Sequence, residues 1–372
     1  MDDLTSIRHY LHQHPEVSQH EQETQKYLLA LLEQLDTDAI KKVANTGILV
    51  TFRGKEQGRN LLLRADIDAL PIQETITAAY RSAKQGVSHK CGHDGHTTIM
   101  YGVAQHFAAQ RPQKGDVHLL FQPAEENGWG ARNVIADGAL DDLKTDMAFA
   151  LHNLPGFKKH HIVCKTGSFT SSVVSLAAYF RGYTAHAAEP WNGRNPAAAM
   201  VRYTLKALAL NKEDKPAYLT VTPVYSILGE KAYGISAGEG EVHLTIRADT
   251  NERMEEALAQ AKKMAEDIAQ AEELEVSFDL IEPFEANQND PVAVDIINKA
   301  ASALGLEQQK IAEGFRFGED FGIFTSLYPG AMFGIGAGED CRPLHHPAYD
   351  YPDELTATGI NMFITIQDKA QQ

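Results

Sequence analysis

The 372-residue sequence predicts an α/β protein: a mixed-sheet α/β/α domain interrupted by an inserted ferredoxin-like α+β domain. Three observations carry this. Short apolar runs alternate with helix-spaced segments over the first part of the chain, the pattern of a sheet covered by helices on both faces. Between about 169 and 283 the order becomes strand, helix, strand, strand, helix, strand, which is the split βαβ arrangement of ferredoxin-like units. Helix-spaced sequence of the first kind then resumes at "NDPVAVDIINKAASALG". The expected division is a discontinuous domain of residues 1–168 and 284–372, with residues 169–283 as the insert.

Taken in order, residues 3–34 end in "YLLALLEQL" and read as one amphipathic helix. "NLLLRADIDALPI" (60–72) is an apolar strand that meets acidic residues and then Pro71. "TTIMYGVAQHFAAQ" (97–110) has helical spacing, and its leading threonine suits an N-cap. "GDVHLLFQPAEE" (115–126) is a strand halted by Pro123, and "DMAFALHNLPG" (146–156) is a strand with His152 near its end. Ligands of open α/β sheets sit beyond the carboxyl ends of the strands. Asp66, Asp68, Glu125, Glu126 and His152 all collect there, so they are expected to converge. Within the insert, the strand "SVVSLAAYFRG" leads to the helix "NPAAAMVRYTLKALAL", with Asn195 as N-cap and Pro196 as first helical residue. The strands "AYLTVTPVYSI" and "EVHLTIRAD", the helix "NERMEEALAQAKKMAEDIAQ" and the strand "LEVSFDLIE" complete it.

Bulk properties exclude several classes. A formal net charge of -16 argues against a nucleic-acid or anionic-membrane footprint. The start "MDDLTSIRHYLHQHPE" lacks the basic and apolar regions of a signal peptide, and no apolar run is long enough to span a bilayer. Three widely spaced cysteines make no disulfide framework, so a cytoplasmic setting is expected.

The stretch "SHKCGHDGHTT" (88–98) therefore invites metal chemistry. Cys91 and His93 lie two apart just before a helix and can point from one loop at a common centre. Thiolate, imidazole and carboxylate together suit zinc or a neighbouring first-row divalent ion. Cys-x-His alone more readily describes a buried cysteine beside surface histidines. In "PAEEN", Glu125 and Glu126 follow a strand-stopping proline: one can bind a metal while the other holds a water, where the plain alternative is a solvated turn. His152 sits in a strand context where histidines are commonly satisfied core residues. His345 and His346 adjoin in extended chain, so at most one of them reaches a metal.

The ordered motifs "LRADIDALPI", "HKCGHDGHTT", "FQPAEENGWGARNVIADGAL", "ALHNLPG", "GYTAHAAEPWNGRNPAAA", "GEDF" and "LHHP" resemble the aminoacylase/hippurate-hydrolase family of dinuclear-metal amidohydrolases. This family also includes indole-acetyl-amino-acid hydrolases and N-acetyl-diaminopimelate deacetylases, and the resemblance spans nearly the whole chain. It implies two divalent metal ions (Zn, Mn, Co or Ni), with Cys91 bridging them and His93, Glu126, His152 and His345 as further ligands. It implies Glu125 as general base and Asp68 as a carboxylate that orients a ligand histidine. In the insert, His186 would approach the scissile carbonyl from the partner subunit of a homodimer formed through residues 169–283, and Arg247 would hold a substrate carboxylate. His96 is not needed as a ligand and reads either as a residue supporting the ligands or, the favoured reading, as helix-start packing; Cys164 and Cys341 read as structural. The implied activity is hydrolysis of the amide bond of a small N-acyl amino acid. A dipeptidase- or carboxypeptidase-like reaction on the same centre is the alternative, and a catalytically silent metal-binding protein is a third reading. The sequence departs from the family at its Asn-Val-Ile-Pro segment, where "SILGEKAYGISAGEGEVHLTIR" puts Tyr233 or Gly234 in place of the asparagine.

Overall fold

The computed structural model describes residues 3–214 and 217–372. The chain divides into two compact units. The first takes in the chain up to Phe169 together with Asn287–Ile311 and Glu319–Gln372, and the second is Thr170–Ala286 with Ala312–Gly318. In chain order, the first unit runs α1 Leu4–Gln13, α2 Gln22–Leu32, β1 Ala39–Val43, β2 Gly47–Phe52, β3 Leu61–Asp66, α3 His93–Ala109, β4 Val117–Gln122, α4 Gly130–Ala136 and β5 Met147–Pro155. The second holds β6 Ser172–Arg181, α5 Ala197–Leu208, β7 Ala217–Leu228, β8 Glu239–Ala248, α6 Asn251–Ala271 and β9 Glu275–Phe284. The chain then returns to the first unit with α7 Pro291–Ala303, α8 Gly322–Leu327, β10 Gly330–Gly338 and α9 Leu355–Ala370.

The sheet of the first unit has the order β1-β2-β4-β3-β5-β10, extended by the two-residue strands Ile162–Val163 and Gln308–Gln309. β3 is parallel to both β4 and β5, and β5 is parallel to β10, whereas β2 runs antiparallel to β1 and β4. Central parallel strands are covered on both faces and so read as unbroken apolar runs, which is why "LLLRAD" and "VHLLFQ" are buried throughout. Leu61, Leu63 and Ala65 face a core built from Ile7 and Leu11 of α1, Val103 and Phe107 of α3, and Phe363 and Ile366 of α9. The parallel order also sets the carboxyl ends of β3, β4, β5 and β10 along one sheet edge, from which the acidic and histidine-bearing segments emerge.

Two sequence expectations change in this unit. The single helix expected over 3–34 is two, α1 and α2, because Pro15 has no N–H to donate and drives the preceding residue out of helical geometry. The segment between them bridges Val17 to Ala69 beside the end of β3 and then turns at Ser18–Gln19. The helix expected from Thr97 begins instead at His93, after Gly92 at φ 93, so His93 and His96 both lie in its first turn. Thr97 caps nothing; its hydroxyl donates to the Asp66 carbonyl at 3.0 Å.

The second unit is a sheet of order β7-β8-β6-β9, with Lys212–Asp214 on the outer edge of β7. Neighbouring strands are antiparallel. Val174, Leu176, Ala178 and Phe180 of β6 alternate onto one face and pack under α5 and α6 against Tyr203, Ala257, Ala261 and Ala265. Asn195 accepts from Ala197 N at 2.9 Å, and Pro196 occupies the cap one residue later than expected. Residues 312–318 join this unit through Ser171 N, which donates to the Phe317 carbonyl at 3.1 Å, and Arg247 Nη1, which donates to the Arg316 carbonyl at 2.7 Å. No helix of the described residues is long and apolar enough to cross a membrane.

Candidate metal centre

Each side chain at the sheet edge is aimed by a local feature. β3 ends at Asp66, and two residues on the chain brings in Asp68; both are fully buried. β4 ends at Gln122, Pro123 stops the ladder, and Ala124 takes φ 55, a left-handed conformation uncommon for a residue with a Cβ. Glu21 Oε1 holds that kink by accepting from Ala124 N at 2.8 Å. The kink turns Glu125 and Glu126 off the strand axis into the protein. His152 lies within β5 with Nδ1 2.8 Å from the Asn153 carbonyl, so its Nε2 is left to face the site. His345 also has positive φ, at 64, and its N–H donates to the Lys90 carbonyl at 2.7 Å.

The result is a set of overlapping clusters in which potential ligand atoms lie within 4.8 Å of one another: Cys91 with His93 and His152, Cys91 with Glu126 and His345, and His93 with Glu125 and Glu126. Cys91 Sγ is 3.4 Å from His152 Nε2. His93 Nε2 is 3.7 Å from Glu126 Oε1 and 3.9 Å from Glu125 Oε2, and His345 Nε2 is 3.5 Å from Glu126 Oε2. His346 points elsewhere, with Nδ1 accepting from Ala348 N at 3.0 Å. Asp68 Oδ1 lies 3.3 Å and its carbonyl 3.0 Å from His93 Nδ1, fixing that ring with Nε2 inward. His93 Nε2 and Glu126 Oε1 are buried and have no hydrogen-bond partner. Buried polar atoms are ordinarily paired, and two unpaired buried atoms that can each offer a lone pair, in overlapping clusters with the Cys91 thiol, suit a divalent cation.

Electrostatics point the same way. Burial, reinforced by Glu126 and Glu125, pushes the Cys91 thiol well up. Burial likewise raises Glu126 to about 8, although His93 opposes it. Burial would lower His93, but Asp66, Asp68 and Glu126 outweigh it and lift the ring to about 10. A pocket this rich in carboxylates is short of positive charge, and a bound cation would draw the thiol into its thiolate form.

Several residues enter that the sequence reading did not assign. His96 is no packing residue: Nδ1 is 2.7 Å from Asp66 Oδ1, and Nε2 meets the Asn153 N–H at 3.2 Å. Asp66, His93 and His96 form a cluster of their own. Behind them Arg64, fully buried, binds Asp66 at 2.7 Å, Glu319 at 2.8 Å and Asp320 at 2.7 Å. A lone arginine in an apolar strand, "LLLRAD", was the available signal, since a buried guanidinium requires acidic partners.

In the second unit His186 is exposed on the short strand Ala185–His186, paired with Ile235–Ser236, and its Nδ1 accepts from Ala188 N at 3.1 Å. The departing segment thus runs beside His186: Ala187 N donates to the Gly234 carbonyl at 2.9 Å, and Tyr233 is 95% exposed. Arg247 lies on the open face of β8, half-buried.

A family model described as Peptidase family M20/M25/M40 matches residues 62–367. An N-acetyldiaminopimelate deacetylase of Listeria innocua is 30% identical over 366 residues, covering 98% of each chain. An N-acetyl-L-cysteine deacetylase of Bacillus subtilis is 32% identical, over 97% of this chain and 86% of its own. Among solved structures, a Bacillus subtilis protein described as a dinuclear metal-binding peptidase of the M20 family aligns with a TM-score of 0.83 at 28% identity, over 98% of this chain and 96% of that one.

Proposed function

The chain belongs to peptidase family M20/M25/M40, and on that premise we propose that it is a metal-dependent amidohydrolase cutting the amide bond of small N-acyl amino acids. The observation that carries the reading is the convergence of Cys91, His93, Glu126, His152 and His345, with His93 Nε2 and Glu126 Oε1 buried and unpaired. The relatives that deacetylate N-acetyldiaminopimelate and N-acetyl-L-cysteine support the substrate class. The mixed thiol, imidazole and carboxylate donors fit a pair of first-row divalent ions such as Zn, Mn, Co or Ni, which Cys91, His93, Glu126, His152 and His345 would hold. When bound, such ions polarise the amide carbonyl and make a held water more acidic.

The protein's own residues supply the rest. Glu125, beside the ligand glutamate, takes the proton of the attacking water and returns it to the departing amine nitrogen. Asp68 holds the His93 ring with Nε2 presented. His186 donates to the carbonyl oxygen as negative charge builds on it, and Arg247 grips the carboxylate of the amino acid with its planar fork. We assign a homodimer through the second unit. Residues 219–228 of β7 pair with β8; on its other side Lys212–Asp214 meets residues 217–219 and the Asn211 side chain bonds Val221, and no described strand pairs with residues 222–228 there. Val224, Tyr225, Ile227 and Leu228 on that edge are exposed, as are Val201 and Leu205 of α5. A long apolar edge strand is a template for another strand, and a second copy meets it across a two-fold axis. The three cysteines are free, consistent with work in a reducing cytoplasm.

The test is a screen of N-acetyl, N-benzoyl and N-succinyl amino acids with metal-reconstituted protein. Exhaustive chelation is expected to abolish hydrolysis, and Mn²⁺, Zn²⁺ or Co²⁺ to restore it. Activity indifferent to chelation would overturn the metal mechanism, and turnover of free dipeptides alone would move the substrate class.

A further inference from the structure

We infer that a buried ionic chain anchored on α1 clamps the loop bearing Cys91 and His93, and that His12 is a positioning residue for metal binding. The inference rests on the metal centre proposed above. Lys90 and Asp94 stand immediately either side of Cys91–Gly92–His93. Lys90 Nζ binds Glu74 Oε1 and donates to the Tyr349 carbonyl at 2.7 Å. The same Glu74 oxygen lies 2.7 Å from His12 Nε2, and His12 Nδ1 lies 2.7 Å from Asp94 Oδ2. The chain Lys90–Glu74–His12–Asp94 therefore leaves the ligand loop at one end and rejoins it at the other. Because both ring nitrogens of His12 face carboxylate oxygens, the ring serves as an imidazolium that donates on both sides. Arg8, one turn earlier on α1, reaches Asp94 Oδ2 at 3.2 Å and is itself held by Asp350 and Asp353.

Location is what separates this chain from ordinary packing. The side chains of Lys90, His12 and Asp94 are completely buried and that of Glu74 nearly so. Apolar residues would fill such a space at no cost in desolvation, so buried ions are poor stabilisers as such. What they supply is fixed geometry, and here it is applied to both ends of a loop that turns on Gly92 in the left-handed region. The Lys90 carbonyl also receives the His345 N–H, so the clamp sets the approach of a ligand from a distant segment. Groups that orient metal ligands characteristically hold affinity by roughly 10–100-fold, and this chain acts on Cys91 and His93 through the loop that carries them.

The experiment uses the full chain, stripped by chelation and titrated with Mn²⁺ by calorimetry, with the activity titration in parallel. His12→Gln and the near-isosteric Glu74→Gln are expected to weaken Mn²⁺ binding by about 10-fold or more and to shrink the rise in Tm that Mn²⁺ produces. Activity at saturating Mn²⁺ is expected to return to within a few-fold of the parent, so that the midpoint moves more than the plateau. Ile297→Val, a core change in α7, is the control that lowers Tm and leaves Mn²⁺ affinity in place. Variants that fold, yet bind Mn²⁺ as the parent does, overturn the inference, as does a lost plateau with affinity intact. A parent that binds no divalent ion sinks the metal centre itself, a failure separable from that of the clamp.

Discussion

At the scale of single residues, the site is decided by where a side chain can be aimed. Glu125 and Glu126 are adjacent, and a straight strand would send them to opposite faces; the left-handed Ala124 delivers both to one pocket. Glu125→Gln keeps the shape and removes the basic oxygen, so metal content should be retained while kcat falls by roughly 10²–10⁴-fold, read by metal analysis alongside N-acyl amino acid turnover. Gly92 is a second such point. An added Cβ would lie 2.6 Å from Asn153 Nδ2 and 3.0 Å from the Tyr349 hydroxyl, at φ 93. Gly92→Ala should cost the metal-free protein about 1–3 kcal/mol, measured by denaturant titration, and should lower metal occupancy as well. The motifs made Cys91, His93 and the glutamate pair legible. His96 was not legible, because nothing local tells that Asp66 lies across from it.

At the scale of elements, periodicity found the strands, and its errors have a common origin. Helical spacing continued through 3–34 although Pro15 forbids a continuous helix, and the proline weighs more because it acts on the backbone whatever the pattern of side chains. Threonine caps well, which points to Thr97 as the start of α3; a glycine at positive φ begins the helix a turn earlier and so puts two histidines on its first turn. The exposed edge of β7 carries the prediction at this scale. Ile227, 47% exposed on the uncovered part of that strand, should tolerate lysine in the monomer fold but not in a paired edge. Ile227→Lys is expected to convert a dimer to a monomer in analytical ultracentrifugation with unchanged circular dichroism. A parent that sediments as a monomer would remove the dimer.

For the whole molecule, the buried His118 and His12 contribute to the pH dependence of stability from opposite sides. Burial outweighs nearby Asp116 and holds His118, in β4, down at about 4. With an unfolded value near 6.5, its contribution is complete above that pH and is lost as the pH falls towards 4. Burial opposes the charge on His12, but hydrogen bonds to Asp94 and Glu74 raise it to about 9. Its contribution is complete below about 6.5 and is lost as the pH rises through 9. Stability of the metal-free protein, measured by denaturant unfolding across pH, should therefore pass through a maximum between these limits. His118→Gln should make the acid side less steep and leave the alkaline side unchanged; an acid limb of the same steepness would sink the assignment.

What the sequence determined by itself was chemistry and order: apolar runs that must be strands, a proline before paired glutamates, a thiol two residues from an imidazole, and a change of pattern at the insert. These are local properties, written in neighbouring residues. Tertiary structure alone decided which distant groups share a charge. Arg64 reaching Glu319 and Asp320, and α1 reaching across to Asp94, join residues hundreds or dozens of positions apart. Buried charges must find partners wherever the fold brings them, and no spacing along the chain records that choice.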